Sequence, residues 1–490
     1  MNVAVIGSGA SAFGVLMRLK EEVKKNNINI TVISKDLNFM NNIFSKNINN
    51  NKKNRFFSKA NNLHANIRHN FGYTFKEIKI NNSKNLIYNI QHSGGLSDIW
   101  SGSAALPLLE DLRKWKVSAN EIEPYYKIIS NYLNLSGKKN ETSNYKSSLN
   151  SIPSNFVNSL PIKEHDLVNK LINKIKNKNK RDDFQINTNY VFLRDESTCQ
   201  YCINCDSCFS GCLNDSIFRP SKVINDLISN KNFSYENDNV ESLKVINNKY
   251  EILTQNKKKM IFDKIFLCAG ALNSAEILIK SFDYPENDLL IYDIPTKFFP
   301  IIAKRPKLKI DRKSFGFSSA SGSIIMNNND YYHLLIGHLP IEYFQTKIQN
   351  RIASNILKNI SDKFCLYGTM YGSNKDFLTY KITNKFEILS SQKERLVQID
   401  DNLKEALKKL KKIFSESNFL ILNNFATNGK SSSHYSSNLF DAYKIEHNIT
   451  GEFRNNLHVC DTSILGSSSS SQPHTFFVMA NAYRLADNTF

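Results

Sequence analysis

The chain has 490 residues, of which 41% are hydrophobic and 22% charged, and this composition excludes a wholly disordered or collagen-like protein. Its length predicts two large domains, or one domain with insertions. The net charge of +19 comes mostly from Lys spread along the chain among many Asn, without interleaved aromatic residues, so we interpret it as a surface bias and expect no nucleic-acid partner. No run approaches the roughly 20 apolar residues of a membrane span. The N-terminus has no secretory-signal pattern, and we therefore expect a cytoplasmic protein without an integral membrane segment.

The first 34 residues predict a strand, a tight turn, a helix and a second strand. Apolar residues at 3–6 and 28–34 flank a glycine-rich turn and a helical pattern at 15–25. This order is typical of a βαβ unit, whose parallel strands indicate a doubly wound α/β sheet.

The turn has the G-x-G-x-x-G/A form, with Gly7, Gly9 and Ala12 in its three positions. The first glycine allows the tight turn, the second allows close approach of a pyrophosphate, and the small third residue allows the helix to pack on the strand. Following a strand and opening a helix, the motif predicts a dinucleotide site. The acidic residue expected at the end of the second strand is Ser34 here, and Asp36 is a substitute two residues further on.

Further elements are predicted from apolar periodicity and turn residues. They are a Gly-rich turn at 93–102, helices at 119–135, 163–178 and 401–416, a hairpin at 240–253, a buried strand at 264–269, strands at 289–294, 323–326, 332–336 and 364–371 that form one antiparallel sheet, and a C-terminal helix from about Thr475.

Three further segments make the chain resemble the glucose–methanol–choline oxidoreductases. Residues 94–100 (GGLSDIW) resemble that family's Gly-Gly turn beside the flavin, and 266–278 (FLCAGALNSAEIL) its strand followed by Ala-Gly and a helix. Residues 456–463, 472–475 and 479–487 resemble its C-terminal signature. The blocks occur in family order from residue 2 to residue 487.

The resemblance implies an α/β fold with a discontinuous Rossmann-like FAD-binding domain and a substrate domain built on an antiparallel sheet with helices. We predict the first part of the FAD domain at 1–285, with a helical excursion at 111–180 and a Cys-rich segment at 199–212. The substrate domain is predicted at 286–435, and the C-terminal part of the FAD domain at 436–490.

FAD is the cofactor that the resemblance implies. The position at which some relatives carry a His that links covalently to the flavin is Ile99, so we expect non-covalent FAD. Asp461 would lie near the ribityl chain or the pyrophosphate, with a helix N-cap as the alternative role. The predicted cofactor-binding residues are Gly7, Gly9, Ala12, Gly94, Gly95, Ser97, Ala269, Gly270, Asp461 and Thr475.

The implied reaction converts an alcohol to a carbonyl by loss of a hydride to flavin and of a proton to an imidazole base. His434 resembles the family's loop histidine, although Ser436 and Ser437 stand where glycines are usual. The second family position is Gln472, with His474 two residues further on, and either would orient the substrate hydroxyl. A surface histidine at 434 and a packed or capping histidine at 474 are the alternatives.

Five cysteines lie within fourteen residues. Cys202, Cys205, Cys208 and Cys212 reproduce the C-x2-C-x2-C-x3-C spacing of ferredoxins, which predicts a [4Fe–4S] cluster, and Cys199 lies outside this set. A thiol cluster without metal and a zinc site are the alternatives. Cys268, Cys365 and Cys460 are scattered in apolar contexts and are predicted to be buried.

The sequence therefore predicts an FAD-dependent oxidoreductase that acts on a small alcohol or sugar. A flavo-iron–sulfur protein that passes electrons through the cysteines to an acceptor partner is the alternative. A basic surface-binding protein with a vestigial flavin fold is a third interpretation.

Overall fold

The computed structural model describes residues 1–36, 75–81, 86–90, 92–139, 154–157, 166–178, 182–194, 216–305, 318–326, 330–338, 352–353, 356, 363–373, 375–390, 393–429, 434–466 and 472–490. Within these residues the α-helices are α1 Ala10–Val23, α2 Leu109–Lys114, α3 Ala119–Tyr132, α4 Asp166–Lys178, α5 Pro220–Leu227, α6 Ala271–Ser281, α7 Lys393–Glu416, α8 Leu439–Ala442 and α9 Thr475–Asp487.

The strands in the same residues are β1 Asn2–Ile6, β2 Asn29–Ile33, β3 Phe75–Asn81, β4 Leu86–Ile90, β5 Asn134–Ser136, β6 Phe184–Thr188, β7 Val191–Leu193, β8 Phe233–Glu236, β9 Val240–Ile246, β10 Lys249–Thr254, β11 Lys259–Phe262, β12 Lys264–Leu267, β13 Leu289–Asp293, β14 Thr296–Ala303, β15 Ala320–Ile325, β16 Tyr331–His338, β17 Cys365–Tyr371, β18 Leu378–Ile382, β19 Ile388–Ser390, β20 Phe419–Ile421, β21 Thr427–Gly429, β22 Ser436–Ser437, β23 Glu452–Arg454 and β24 Leu457–Val459.

The predicted βαβ unit is confirmed and belongs to a six-stranded sheet of order β23-β24-β12-β1-β2-β8. β1 pairs in parallel with both β2 and β12, and β12 pairs in parallel with β24. Helices α1 and α9 pack against each other. The central strands are buried because helices cover them, which explains their continuous apolar runs. The carboxyl ends of strands from both ends of the chain thus meet at one edge.

The prediction of one antiparallel sheet after residue 286 is wrong, because those strands divide between two sheets. β13 belongs to a sheet of order β22-β13-β18-β19-β3-β4. β14 begins three residues later and belongs to a second sheet of order β20-β14-β17-β16-β15-β6, with β21 also paired to β14. Period-2 patterning identifies strands but not their partners, and the turn at Ile294 and Pro295 redirects the chain from one sheet to the other.

Most of the local predictions are confirmed. β9 and β10 form the predicted hairpin, to which β11 adds a third strand. The predicted helix at 401–416 is the second half of α7, which begins earlier because Leu396 and Ile399 extend the spacing that leads to Leu403. The predicted domain boundaries stay a prediction. β6 joins the second sheet through β15, although it precedes residue 285.

No helix in the described ranges combines the length and the apolar character that a membrane span requires. Cys268, Cys365 and Cys460 are buried, as predicted.

Candidate active site

One cavity lies between the carboxyl ends of the parallel strands and one face of the sheet that contains β14, β16 and β17. At one end its wall is formed by Ile33 and Ser34 after β2, and in the middle by the glycine turn. At the other end the wall includes His434 and His474. Crevices at the carboxyl ends of strands are the usual ligand sites of open α/β sheets.

The glycine turn has the backbone that its sequence predicts. Gly7 has a φ of +114°, and a Cβ at this position would overlap the carbonyl oxygen of Cys268. Gly9 is the N-cap of α1, and a Cβ there would lie 3.4 Å from Gly94 O and 3.4 Å from Ser97 Oγ. Ala12 is fully buried on α1 and does not line the cavity, so its role is to allow packing. The N-terminus of α1 therefore faces the cavity with little side-chain volume.

The segment from Gly94 to Ser97 lies against this turn. Gly94 has a φ of +75°, and its N–H donates to Ser8 Oγ at 2.9 Å. Ser97 Oγ donates to Gly94 O at 2.7 Å and accepts from Ala10 N at 3.0 Å. Gly94, Gly95 and Ser97 all line the cavity. These bonds hold the two glycine-rich segments, which are almost 90 residues apart in sequence, on the same wall.

The end of β2 uses serine where an acidic residue was expected. Ser34 Oγ lies 2.6 Å from Ser8 Oγ, and both residues are buried. Asp36 does not line the cavity; its carboxylate lies 3.4 Å from Nδ1 of His92, which does. Burial lowers the pKa of His92, and Asp36 opposes this shift. Sequence reasoning missed His92, since its link to Asp36 depends on the packing of two distant loops.

Both carboxylate oxygens of Asp461, a residue of the cavity wall, accept hydrogen bonds. One carboxylate oxygen accepts from Gly270 N at 2.7 Å and from the hydroxyl of Ser274. The other accepts from the backbone N–H of Ser463 at 2.9 Å and from its hydroxyl. Burial raises the pKa of Asp461, against the opposing effect of these bonds. The predicted N-cap role is confirmed, and because Asp461 also lines the cavity with Ala269 and Gly270, it fixes the shape of the wall there.

Two histidines meet at the other end of the cavity. The rings of His434 and His474 are 5.7 Å apart between centroids. His434 is separated by Tyr435 from β22, where Ser436 and Ser437 pair with β13, so the two serines anchor the segment of His434 to a sheet. His474 is 5% exposed and is the N-cap of α9, and Thr475 follows it on the cavity wall.

The structure distinguishes the two candidates around Pro473. Gln472 is fully buried and is not part of the cavity wall, whereas Pro473 and His474 are. The side chain that stands beside His434 is thus the one after the proline. The proposed contact of Gln472 with the substrate stays a prediction.

Burial keeps several histidines uncharged. It lowers the pKa of His474 to about 4, that of His333 to about 3 and that of His458 to about 4. His474 lines the cavity, His333 lies on β16, and His458 lies on β24 of the parallel sheet, where its ring stacks on that of Phe266 with the centroids 5.3 Å apart.

These shifts predict a loss of stability in mild acid. Between the ordinary histidine pKa of about 6.5 and the lowered values, the unfolded chain binds protons that the folded chain does not. The free energy of unfolding should therefore fall as the pH drops from about 6.5 towards 4, by about 1.4 kcal/mol per pH unit for each of the three histidines. Urea unfolding at pH 7, 6 and 5 measures this slope. His458→Asn should make it shallower, and an equal slope in wild type and variant would contradict the assignment.

The wall opposite the histidines was not predicted residue by residue. It is formed by Thr296 and Phe298 on β14, Leu335 on β16, and Thr369 and Tyr371 on β17. The alternation of these positions along each strand is visible in the sequence, but which face meets the cavity is not. Tyr371 lies 5.8 Å from His434 between ring centroids.

The predicted cluster ligands Cys202, Cys205, Cys208 and Cys212 lie outside the described residues, so the iron–sulfur interpretation stays a prediction. In the part of the chain that the structure does describe, no group of three or more His, Cys, Asp or Glu side chains is arranged to hold a metal ion.

Fold and cavity together define an α/β protein with a Rossmann-like parallel sheet and a cavity that is covered by a second sheet. Among solved structures, the chain is similar to pyridoxine 4-oxidase from Mesorbium loti, with a TM-score of 0.63 and 13% identity over 99% of this chain and 98% of that one. It is also similar to a fungal aryl-alcohol oxidase, with a TM-score of 0.56 and 10% identity over 99% and 98%.

Both structures are glucose–methanol–choline flavoenzymes, and the predicted resemblance is confirmed at the level of the fold. No family model matches the sequence, and no curated protein matches it significantly.

Proposed function

We propose that this protein is an FAD-dependent oxidoreductase that oxidises an alcohol or sugar hydroxyl to a carbonyl. The observation that carries the proposal is the pairing of His434 and His474, 5.7 Å apart, in the same cavity as the glycine turn. A dinucleotide cradle and a pair of imidazoles in one cavity are what hydride transfer coupled to proton transfer requires. The fold shared with two flavoenzymes supports the proposal.

The residues present fit FAD. The N-terminus of α1 and the turn from Gly7 to Gly9 form a concave surface that a side chain at position 9 would narrow, which suits a pyrophosphate. Gly94, Gly95 and Ser97 would complete the wall, and Ala269, Gly270 and Thr475 would line the remainder. When bound, the flavin supplies the hydride acceptor. Ile99 lines the cavity with no nucleophilic atom, so we propose that FAD is held non-covalently and is released by acid or heat.

The two imidazoles have different proposed roles, proton acceptance and orientation of the substrate. We assign His434 as the base that accepts the hydroxyl proton. His474, which lines the cavity beside His434, is uncharged at neutral pH because burial lowers its pKa to about 4. It can therefore orient the substrate hydroxyl towards His434.

The test is the absorbance spectrum of the purified protein. Flavin bands should be present, should follow the small-molecule fraction after acid precipitation, and should bleach anaerobically when an alcohol is added. Protein that purifies without flavin and does not bind added FAD would contradict the proposal. Flavin that stays with the precipitate would contradict only the non-covalent attachment.

The ferredoxin-type cysteine spacing favours a second candidate, a flavo-iron–sulfur protein with an electron-acceptor partner. If the cysteines hold a [4Fe–4S] cluster, Cys205→Ser should lose iron and acid-labile sulfide, whereas Cys199→Ser should largely keep them. Metal analysis of anaerobically purified protein measures this, with FAD content as the control. If wild-type protein carries flavin but neither iron nor zinc, the cysteines form a thiol cluster without metal.

A further inference from the structure

Strand β2 ends on a serine at the point where Rossmann-like sheets carry an acid. In those sheets the acidic side chain accepts hydrogen bonds from the ribose of the adenosine. Here Ser34 Oγ lies 2.6 Å from Ser8 Oγ, which also accepts from the N–H of Gly94 at 2.9 Å. The two hydroxyls are therefore engaged in holding the glycine-rich segments together, and neither supplies the carboxylate that a ribose would find on an acid.

His92 lies beside this position. The N–H of Ser93 donates to the carbonyl oxygen of Lys35 at 2.8 Å, so the segment that carries His92 runs along the end of β2. His92 and Ser34 both line the cavity. The side chain of His92 is 7% exposed, and its Nδ1 is buried, so the exposed part of the side chain belongs to its other atoms.

Asp36 fixes the orientation of the His92 ring. Its carboxylate lies 3.4 Å from Nδ1 of His92, and its backbone N–H donates to Oδ1 of Asn237 at 2.8 Å. A carboxylate that faces one ring nitrogen favours the tautomer with the proton on that nitrogen, which leaves the other nitrogen as an acceptor. Burial lowers the pKa of His92 and Asp36 opposes this shift, so the ring is uncharged at pH 7.

We propose that Nε2 of His92, whose ring is oriented by Asp36, accepts a hydrogen bond from a ribose hydroxyl of the adenosine half of FAD, in place of the missing acid. This rests on the proposed function, which assigns FAD to the cavity. A carboxylate has two oxygens and can hold both ribose hydroxyls, whereas an imidazole has one acceptor nitrogen. His92 is thus a direct contact of the cofactor, and Asp36 is a positioning residue that acts through it.

The experiment compares two competitors that displace FAD from the apoprotein, ADP and 2′,3′-dideoxy-ADP. They share adenine and pyrophosphate, so the ratio of their dissociation constants reports on the ribose hydroxyls alone. Flavin fluorescence measures the displacement. Wild type should bind ADP about 3- to 10-fold more tightly, the usual contribution of one hydrogen bond between uncharged groups. His92→Phe keeps a flat ring without an acceptor and should bring the ratio close to one. His447→Phe, a matched change at a histidine that packs on Phe440, should keep the wild-type ratio.

A second variant tests the positioning role without disturbing the core. The side chain of Asp36 is 39% exposed and its φ is +52°, a conformation that asparagine tolerates well. Asp36→Asn should therefore fold, and its ratio should lie between those of wild type and His92→Phe, because a neutral amide holds the tautomer less firmly. Ser34→Ala should keep the wild-type ratio.

Two results would overturn the inference while leaving the proposed function intact. One is FAD binding with the same ratio in wild type, His92→Phe and Asp36→Asn. The other is a ratio that is lost in Ser34→Ala and kept in His92→Phe, which would assign the ribose to the serine. An apoprotein that binds neither FAD nor ADP would overturn the proposed function together with the inference.

Discussion

Replacing His434 with alanine is expected to slow substrate-driven reduction of the bound flavin by about 10²–10⁴-fold, the usual contribution of a positioned base. FAD should remain bound, because the proposed pyrophosphate cradle is formed by the glycine turn and not by His434. Reduction by dithionite should be unaffected, since that route needs no proton transfer from an alcohol. Anaerobic stopped-flow absorbance in the flavin bands, with each reductant, measures both quantities.

The matched control is His447→Ala. His447 packs on Phe440, with ring centroids 5.3 Å apart, and its Nε2 lies 3.4 Å from the carboxylate of Asp441, away from the cavity wall. Its loss should leave the rate of reduction unchanged. If substrate reduces the flavin of His434→Ala at the wild-type rate, the base is another group. His474 is the next residue to test, because its ring is the neighbour of His434.

Alanine at positions 7 and 9 is expected to give two different defects. At Gly7 the φ of +114° is strained for any residue with a Cβ, which would also overlap the carbonyl oxygen of Cys268. Gly7→Ala should therefore lower the free energy of unfolding of the apoprotein by about 3 kcal/mol or more. At Gly9 the φ is −86° and a Cβ meets its nearest atoms at 3.4 Å, so Gly9→Ala should leave the apoprotein folded.

The FAD affinity separates the two roles. Gly9→Ala should weaken FAD binding at least about 10-fold, because the added methyl group stands where the backbone must approach a pyrophosphate closely. Thermal melts of both apoproteins and FAD titration by flavin fluorescence measure the two effects. If Gly9→Ala binds FAD with wild-type affinity, the pyrophosphate does not approach the backbone at Gly9. A normal melting temperature in Gly7→Ala would mean that the turn can relax around its neighbour.

The features predicted correctly from the sequence are those that depend on residues close together in the chain. The glycine turn is specified by β1, Gly7 and Gly9 within a dozen residues, and the C-terminal helix α9 by a helical pattern that follows Pro473. Local backbone preference and apolar periodicity are sufficient for such elements, because the relevant contacts lie within one or two turns of chain.

The features that the sequence did not determine depend on pairing between distant strands. β13 and β14 belong to separate sheets because they pair with different strands far along the chain, β18 and β17 respectively. His474 rather than Gln472 is the neighbour of His434 because helix α9, which begins after His474, packs against α1 from the other end of the chain. Asp461 is similar, since its hydrogen-bond donors Gly270 and Ser274 follow β12, a strand that pairs with β24 although it lies far earlier in the chain.

The sequence by itself therefore determined the class of fold, the dinucleotide turn and the candidate base His434. Only the tertiary structure decided the wall of the cavity that faces the histidines. Thr296, Leu335 and Tyr371 come from three strands that carry no distinguishing motif when considered singly, and they become parts of one wall through the register of β14, β16 and β17. Register is set by the packing of whole strands against a core. The alternation of apolar and polar residues along a single strand identifies its two faces, but it does not determine which face meets the cavity.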